Sequence, residues 1–343
     1  MEKNTHKSYL NFFIKVVVVF LLGYVIYRQI FAKENAEEIW QTFLSSLTSE
    51  NIHWLILTVL FIPLNWAFET LKWQVLIKNF EALPFWKSYQ AVLVGITFSL
   101  FTPNRIGEYG GRILLVRPKN NWKAVIATLV GSFSQLLVLL GLGIVGLLLF
   151  IYFLMELDSW IWWSIFSIGI LFTSLMLFCF YNIDLVIPIV KRVPLAHKFK
   201  RFVKHVRVLN NYSSSILSAA LSFSFLRYCT YTLQYFFMLQ FFGINVPTFE
   251  GIAGIATIFL LQTSIPLPPI WDLFARGQIA LEIWGFFSDN EIGILASTFT
   301  LWILNLIIPA LIGTIFIIRI NVLQSLGYEK INDKKSNVSD DVA

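Results

Sequence analysis

Charged residues are scarce in this chain of 343 residues: only 13% are Asp, Glu, Lys or Arg. Ordinary soluble domains contain roughly 25% of these residues. By contrast, 57% of the chain is hydrophobic. A water-facing globule of this composition would leave large apolar patches exposed, so lipid must be the solvent for most of the chain. The composition therefore excludes a soluble fold and predicts an all-α polytopic membrane protein.

Cysteine and histidine are also rare, which bears on metal and redox chemistry. The two cysteines, Cys179 and Cys229, both lie inside apolar stretches, and the four histidines show no metal-ligand spacing. Disulfide scaffolds and zinc chemistry are therefore not expected, and neither a metal nor a cofactor is predicted. No Ser/His/Asp, Cys/His, P-loop or dinucleotide pattern stands in a suitable context, so we do not expect an enzyme.

Long apolar runs are abundant, and six of them reach the roughly 20 residues that a helix needs to cross about 30 Å of hydrocarbon. They cover residues 12–31, 52–77, 124–153, 160–181, 215–242 and 292–318. Two further apolar regions, 85–116 and 249–286, are each interrupted by a polar segment that contains proline. Proline lacks a backbone donor and fixes φ, so continuous helices are not expected there. Pro103 in the first break, and Pro266 and Pro268 in the second, are the predicted hinges.

Lysine and arginine set the orientation, because they collect in cytoplasmic loops. Lysines and arginines flank region 85–116 on both sides, which predicts that this region enters and leaves the membrane on the cytoplasmic face. The most basic stretch, 191–207, then also lies in the cytoplasm, as an amphipathic helix on anionic headgroups rather than as a nucleic-acid site. Lys15 interrupts the first apolar run, which favours an uncleaved anchor over a signal peptide. Both termini are placed in the cytoplasm, with 321–343 as a polar, disordered tail.

The two broken regions repeat one pattern. After each break an acidic residue is followed four positions later by an arginine, as Glu108 and Arg112 in the first and Asp272 and Arg276 in the second. A full span flanks each region on either side, which gives two units of the same plan over 52–153 and 215–318. The first hairpin is predicted to open inward and the second outward, so the units form an inverted repeat, as in many secondary transporters. We expect a single transmembrane domain over 1–320, with six full spans and two re-entrant helical hairpins.

Ionisable residues inside a membrane need partners, because a charge at the bilayer centre costs about 2.5–3.5 kcal/mol. Each acidic residue of the repeat shares a helical face with its arginine and is expected to pair with it. These ion pairs either bind a substrate, or the two charges of each pair only neutralise each other and stabilise the hairpin tip.

Two arginines stand outside this repeated pattern. Arg105 in the first break has no acidic counterpart in the matching position and is predicted to need an anion, which arginine binds well as phosphate. Gly107 would let the backbone approach that anion, and free N–H groups of the half-helix beginning near it would point at the same place. Arg227, in the middle of a span, is either a second anion contact or the partner of Asp272 or Glu69.

The segment Thr102–Arg112, the span from Trp122 through Gln135 and the run Leu301–Pro309 together resemble the lysylphosphatidylglycerol synthase transmembrane-region family. This family includes the flippase-like domain of the bacterial multiple peptide resistance factor. The resemblance implies a lipid-translocating role, with Pro103, Arg105, Gly107, Glu108 and Arg112 in the first re-entrant motif. The second motif departs from the family pattern, because Ile270 and Trp271 stand where glycines are often found.

The leading hypothesis is a bacterial inner-membrane transporter or flippase that moves a lipid with an anionic headgroup between leaflets. The predicted substrate-binding residues are Arg105, Gly107, Glu108, Arg112, Arg227, Asp272 and Arg276. The alternatives are a carrier of a small anion or metabolite, and a non-transporting partner of a separate lipid-modifying enzyme. Membrane lipids, and not nucleic acids, are the expected partners, and the sequence does not predict an oligomeric state.

Overall fold

Helices make up the regular structure of this chain, and no strand occurs in the residues that the computed structural model describes. Those residues are 2–30, 36–102, 105–154, 158–185, 187–188, 206–264, 269–325 and 327. Their side chains are described except at 2–8, 22, 25–26, 28–30 and 269–272. The three predicted hinge prolines, most of the basic stretch 191–207 and most of the tail 321–343 lie outside the described residues.

Up to residue 185, the part of the chain that the structure describes contains seven α-helices, joined in part by short 3₁₀ turns. They are α1 (Glu2–Ile30), α2 (Ala36–Leu47), α3 (Ile52–Ile77), α4 (Phe85–Ser99), α5 (Gly107–Arg112), α6 (Asn121–Leu154) and α7 (Ser159–Tyr181). The 3₁₀ turns Ile113–Leu115 and Pro118–Asn120 connect α5 to α6. Glu81 is buried beside this connection, where it accepts hydrogen bonds from Arg117 and Asn120.

The described residues from 206 onward add six helices. They are α8 (Ser214–Phe241), α9 (Thr248–Ser264), α10 (Pro269–Trp284), α11 (Glu291–Trp302), α12 (Ile308–Arg319) and α13 (Val322–Ser325). A π-turn, Ile303–Ile307, joins α11 to α12 without a break. Proline at position 309 accounts for the wider turn, because it has no N–H to offer the carbonyl of Asn305 and its ring crowds that carbonyl.

Within the described residues, four helical segments are long and apolar enough to cross a membrane, which makes this a multi-pass membrane protein. They are Ile52–Ile77, Pro118–Leu154, Ser159–Tyr181 and Glu291–Arg319. Each coincides with one of the six predicted spans. The other two predicted spans, 12–31 and 215–242, correspond to α1 and α8, which have 29 and 28 residues but are not among these four. The count of six spans therefore stays a prediction.

The first predicted break separates two helices that fold back on each other. Gly107 at the start of α5 lies against the Phe98 backbone near the end of α4, while Gly111 lies against Gly95, one turn earlier. Residue numbers rise along one helix as they fall along the other, so α4 and α5 are antiparallel. The membrane face on which this hairpin opens stays a prediction.

The second predicted break lies in a hairpin of the same kind. Gly254 in α9 packs against Trp284 at the end of α10, and Gln262 near the end of α9 accepts a hydrogen bond from Arg276. These two contacts place α9 and α10 antiparallel. Re-entry of this hairpin into the membrane also stays a prediction.

Helices α3 and α8 run antiparallel through the centre. Glu69 contacts Arg227, and three turns earlier on α3 the carbonyl of Thr58 accepts a hydrogen bond from Gln234, which lies two turns later on α8. Buried apolar side chains of both helices, together with α6 and the α4–α5 hairpin, form the largest part of the core. The polar groups between α3 and α8 are therefore surrounded by well-packed hydrocarbon.

Each hairpin packs against the closing helix of the other predicted unit. In the first hairpin, the Thr97 hydroxyl on α4 donates to the Ala310 carbonyl on α12, with an oxygen–oxygen distance of 2.8 Å. In the second, α9 packs against α6, where Gly143 and Gly146 lie against Leu260 and Ala256. The two hairpins thus have reciprocal positions around the antiparallel pair α3 and α8.

Candidate functional site

A buried carboxylate on α3 binds three cations. Glu69 Oε2 lies 2.7 Å from Lys72 Nζ and 2.7 Å from Arg227 Nη1, and its Oε1 lies 2.7 Å from Arg112 Nη2. The Glu69 side chain is only 5% exposed. The sequence predicts Glu69 only as one possible partner of Arg227, and it does not single out Lys72. The sequence did contain a signal for this pair, because Glu69 and Lys72 are three residues apart inside an apolar span and so share a helical face.

Arg112 links this carboxylate to the first hairpin. Its Nη2 also pairs with Glu108, which confirms the ion pair that their spacing predicts. The Arg112 side chain is 2% exposed, and its guanidinium lies 5.7 Å from the centre of the Trp73 ring. Arg112 is therefore enclosed between two carboxylates and an indole, and a substrate reaches it only by displacing one of them.

Arg227 reaches the same carboxylate from α8. Its guanidinium lies 4.9 Å from the centre of the Trp66 ring, and its Nε donates to Asn65 Oδ1 at 3.3 Å. Asn65 in turn donates to Asn305 Oδ1 at 3.0 Å, in the π-turn. Of the alternatives left open for Arg227, the structure shows the pairing with Glu69. Because the side chain is still 19% exposed, its predicted role as an anion contact remains open to test.

We call Glu69, Lys72, Glu108, Arg112 and Arg227 the Glu69 cluster. It contains three cationic and two anionic side chains, so with every group ionised it has an excess of one positive charge. An uncompensated charge in a low-dielectric environment is costly, and a bound anion would compensate it. Glu108 and Arg227 are each 19% exposed and form the accessible edge, whereas the other three side chains are at most 5% exposed.

Arg105 lies three residues before Glu108, at the described edge of the first break. Its φ of 57° places it in the left-handed region, which is uncommon for a residue with a side chain. Its side chain is exposed and makes no ion pair with any residue in the described part of the chain. Its predicted contact with an anion stays a prediction.

The expected free N–H groups near Gly107 are not all free. The Gly107 N–H donates to the Thr102 hydroxyl at 2.7 Å, so this donor is already used inside the break. The prediction that it is available to a ligand is wrong for that reason. Gly107 instead serves close packing, because a Cβ there would overlap the carbonyl group of Phe98.

The second hairpin contributes Arg276, which is half-buried on α10. Its Nη1 donates to Gln262 Oε1 at 2.7 Å, across the hairpin on α9. The Asp272 side chain lies outside the described part of the chain, so the predicted ion pair between Asp272 and Arg276 stays a prediction. Nearby on α8, Tyr231 stacks on Phe259 of α9 with ring centres 5.1 Å apart.

Two adjacent glycines of α5 give a matched pair of variants. A Cβ on Gly111 would lie 2.6 Å from Gly95 Cα, whereas a Cβ on Gly110 would meet nothing within 4 Å. We expect Gly111→Ala to force α5 away from α4 and to lower the free energy of unfolding by about 1–3 kcal/mol, as overpacking does. Thermal unfolding of the detergent-solubilised protein measures this effect. Gly110→Ala should unfold like the wild type, and equal stability of the two variants would contradict the described packing.

Comparison with known proteins identifies a family. The model of a family described as the lysylphosphatidylglycerol synthase TM region matches residues 12–279. The matched range covers most of the chain and includes all seven predicted substrate-binding residues and the whole Glu69 cluster. The comparison with curated proteins returned no similar sequence.

Proposed function

The chain belongs to the lysylphosphatidylglycerol synthase transmembrane-region family, and we propose that it moves a lipid with an anionic headgroup between membrane leaflets. Family membership supports a role connected with membrane lipids. The observation that carries the more specific proposal is that the buried Glu69 cluster, with every group ionised, has an excess of one positive charge. A phosphodiester headgroup supplies one compensating negative charge, and its oxygens suit the planar donors of arginine.

The accessible edge of the cluster suggests how such a headgroup binds. The exposed guanidinium of Arg105 makes the first contact, and Arg227 then takes the phosphate at the cluster. A phosphate oxygen there competes with Glu69 for Arg227. Headgroup binding therefore rearranges the ion pairs of the cluster instead of leaving all of them in place. The hydrocarbon tails remain in the bilayer, and only the polar headgroup crosses it.

The arrangement of the helices supports a transport mechanism with two inverted units, 52–153 and 215–318. The central helices of these units, α3 and α8, are antiparallel, as inversion requires. Each hairpin packs on the closing helix of the other unit, so a rotation about the α3–α8 contact would open one hairpin while it closes the other. Such rocking around a fixed central site is common among secondary transporters. In the proposed orientation both termini lie in the cytoplasm of a bacterial cell.

Reconstitution into vesicles tests this proposal. Vesicles of phosphatidylcholine with a trace of fluorescent phosphatidylglycerol are exposed to dithionite, which bleaches the outer leaflet only. The proposal predicts that the protein exposes the inner-leaflet probe as well. Uptake of water-soluble phosphate without lipid movement would favour the small-anion carrier instead, and the absence of both would favour a non-transporting partner.

Arg105→Gly tests the predicted anion contact with little cost to the fold. Glycine adopts the left-handed conformation of Arg105 more readily than arginine does, so the break should keep its geometry while it loses the guanidinium. We expect the lipid to move about tenfold more slowly, the loss of roughly one hydrogen bond to a charged group. The initial rate of dithionite bleaching from the inner leaflet measures it. Wild-type rates in this variant would remove Arg105 from the site.

A further inference from the structure

Lys72 is as fully enclosed in the Glu69 cluster as Arg112 is. Its side chain is 2% exposed, and its Nζ lies 2.7 Å from Glu69 Oε2 and 3.5 Å from Gln135 Oε1 on α6. The aliphatic part of the side chain packs beside Gly131, where a Cβ would lie 3.5 Å from Lys72 Cε. A lipid headgroup therefore cannot contact Lys72 without displacing Glu69 or Gln135. Its function must be one that it can perform from inside the protein.

Chemistry distinguishes Lys72 from the other two cations. Arginine does not lose its proton under conditions that proteins tolerate, whereas a lysine ammonium can, and burial disfavours its charged form. Among the three cations around Glu69, Lys72 alone can thus change its charge. The excess positive charge of the cluster can be removed in two ways, either by binding an anion or by releasing the Lys72 proton.

The charged groups around Lys72 come from three helices. They are Glu69 on α3, Arg112 on α5 and Arg227 on α8, with Glu108 reached through Arg112. Helix α6 contributes only the uncharged amide of Gln135, and the π-turn Ile303–Ile307 contains no ionisable residue. Helix α4 carries its ionisable residues, Lys87 and Tyr89, near its start.

We propose that Lys72 is a proton-binding site that couples the movement of an anionic headgroup to the movement of one proton. When Lys72 has released its proton and no headgroup is bound, two arginines balance two carboxylates. The headgroup brings one negative charge, and Lys72 takes one proton from water and becomes an ammonium. When the headgroup leaves, Lys72 returns the proton to water. The cluster is electrically neutral in both states, and this inference rests on the proposed lipid transport.

The pH dependence of transport tests this coupling. Because the proton and the anion bind together, the apparent affinity for the headgroup should fall as pH rises, by up to about tenfold per pH unit. The probe is fluorescent phosphatidylglycerol in phosphatidylcholine vesicles, with the same pH on both sides, between about pH 6 and about pH 9. Lys72→Arg keeps the positive charge but cannot release a proton, so its transport should no longer depend on pH. Lys78→Arg, an exposed position at the end of the same helix, should keep the wild-type profile.

The outcomes separate this inference from the proposed function. A pH profile in Lys72→Arg that matches the wild type would assign the proton to Glu69 or Glu108 and overturn the role of Lys72, while lipid transport itself would stand. A wild-type protein that moves no phosphatidylglycerol at any pH would contradict the proposed function and the inference together.

A measurement on the unmodified protein covers the case in which the Lys72 variant fails to fold. A pH-indicator dye in weakly buffered detergent solution reports protons taken up when short-chain phosphatidylglycerol binds. We expect an uptake of up to one proton per bound lipid, which decreases at low pH, where Lys72 is already charged. Lipid binding without proton uptake at alkaline pH would overturn the proposal.

Discussion

The Glu69→Gln variant is expected to lose about 3–5 kcal/mol of the free energy of unfolding, the usual cost of breaking a buried ion pair by removing one partner. Both Glu69 oxygens contact cations, and the side chain is only 5% exposed. Glutamine has nearly the same shape but no charge. Lys72, Arg112 and Arg227 would then face one another with only Glu108 to balance them. The buried excess would rise from one positive charge to two.

Thermal unfolding in detergent or in nanodiscs measures this loss of stability. Glu38→Gln is the matched control, because Glu38 is an exposed acid in the first turn of α2. Its replacement should leave the unfolding temperature nearly unchanged, since exposed charges contribute little. If Glu69→Gln unfolds at the same temperature as Glu38→Gln, the three cations do not depend on Glu69, and the description of the cluster is wrong.

The local features of this site follow from the sequence. The i,i+4 spacing of Glu108 and Arg112 is enough to predict their ion pair, because residues at this spacing share a helical face. The proline-bearing breaks likewise predict where α4 and α9 end, because proline interrupts helical hydrogen bonding. Four of the predicted spans coincide with helices that can cross a membrane, because a span is recognised by length and apolar composition alone.

The long-range contacts could not be predicted in the same way. Arg227 reaches Glu69 across 158 residues, and Asn65 reaches Asn305 across 240, so both contacts depend on how α3, α8 and the π-turn pack. One sequence with several intramembrane polar residues leaves many pairings possible, and only the packing of the helices selects one. For the same reason the sequence left three alternatives open for Arg227.

The charge balance of the cluster makes Arg227 the most informative position for function. With Arg227→Gln, Lys72 and Arg112 remain to balance Glu69 and Glu108, so the buried cluster becomes neutral and the fold should tolerate the change better than it tolerates Glu69→Gln. In this variant, however, the cluster is neutral even with Lys72 protonated, so a bound anion would leave one uncompensated negative charge in it, and the guanidinium that meets the phosphate is gone. We therefore expect the variant to remain folded while the movement of anionic lipid slows by about a hundredfold, as expected for the loss of a buried charge-assisted contact.

The initial rate at which fluorescent phosphatidylglycerol crosses the bilayer, compared between Arg227→Gln and Arg319→Gln, tests the central claim most directly. Arg319 is an exposed arginine at the end of α12, so its replacement controls for the general loss of a positive charge. Binding of the headgroup at the Glu69 cluster predicts wild-type rates for Arg319→Gln and a rate about a hundredfold lower for Arg227→Gln. Equal rates in two folded variants would show that the headgroup does not pass by this cluster.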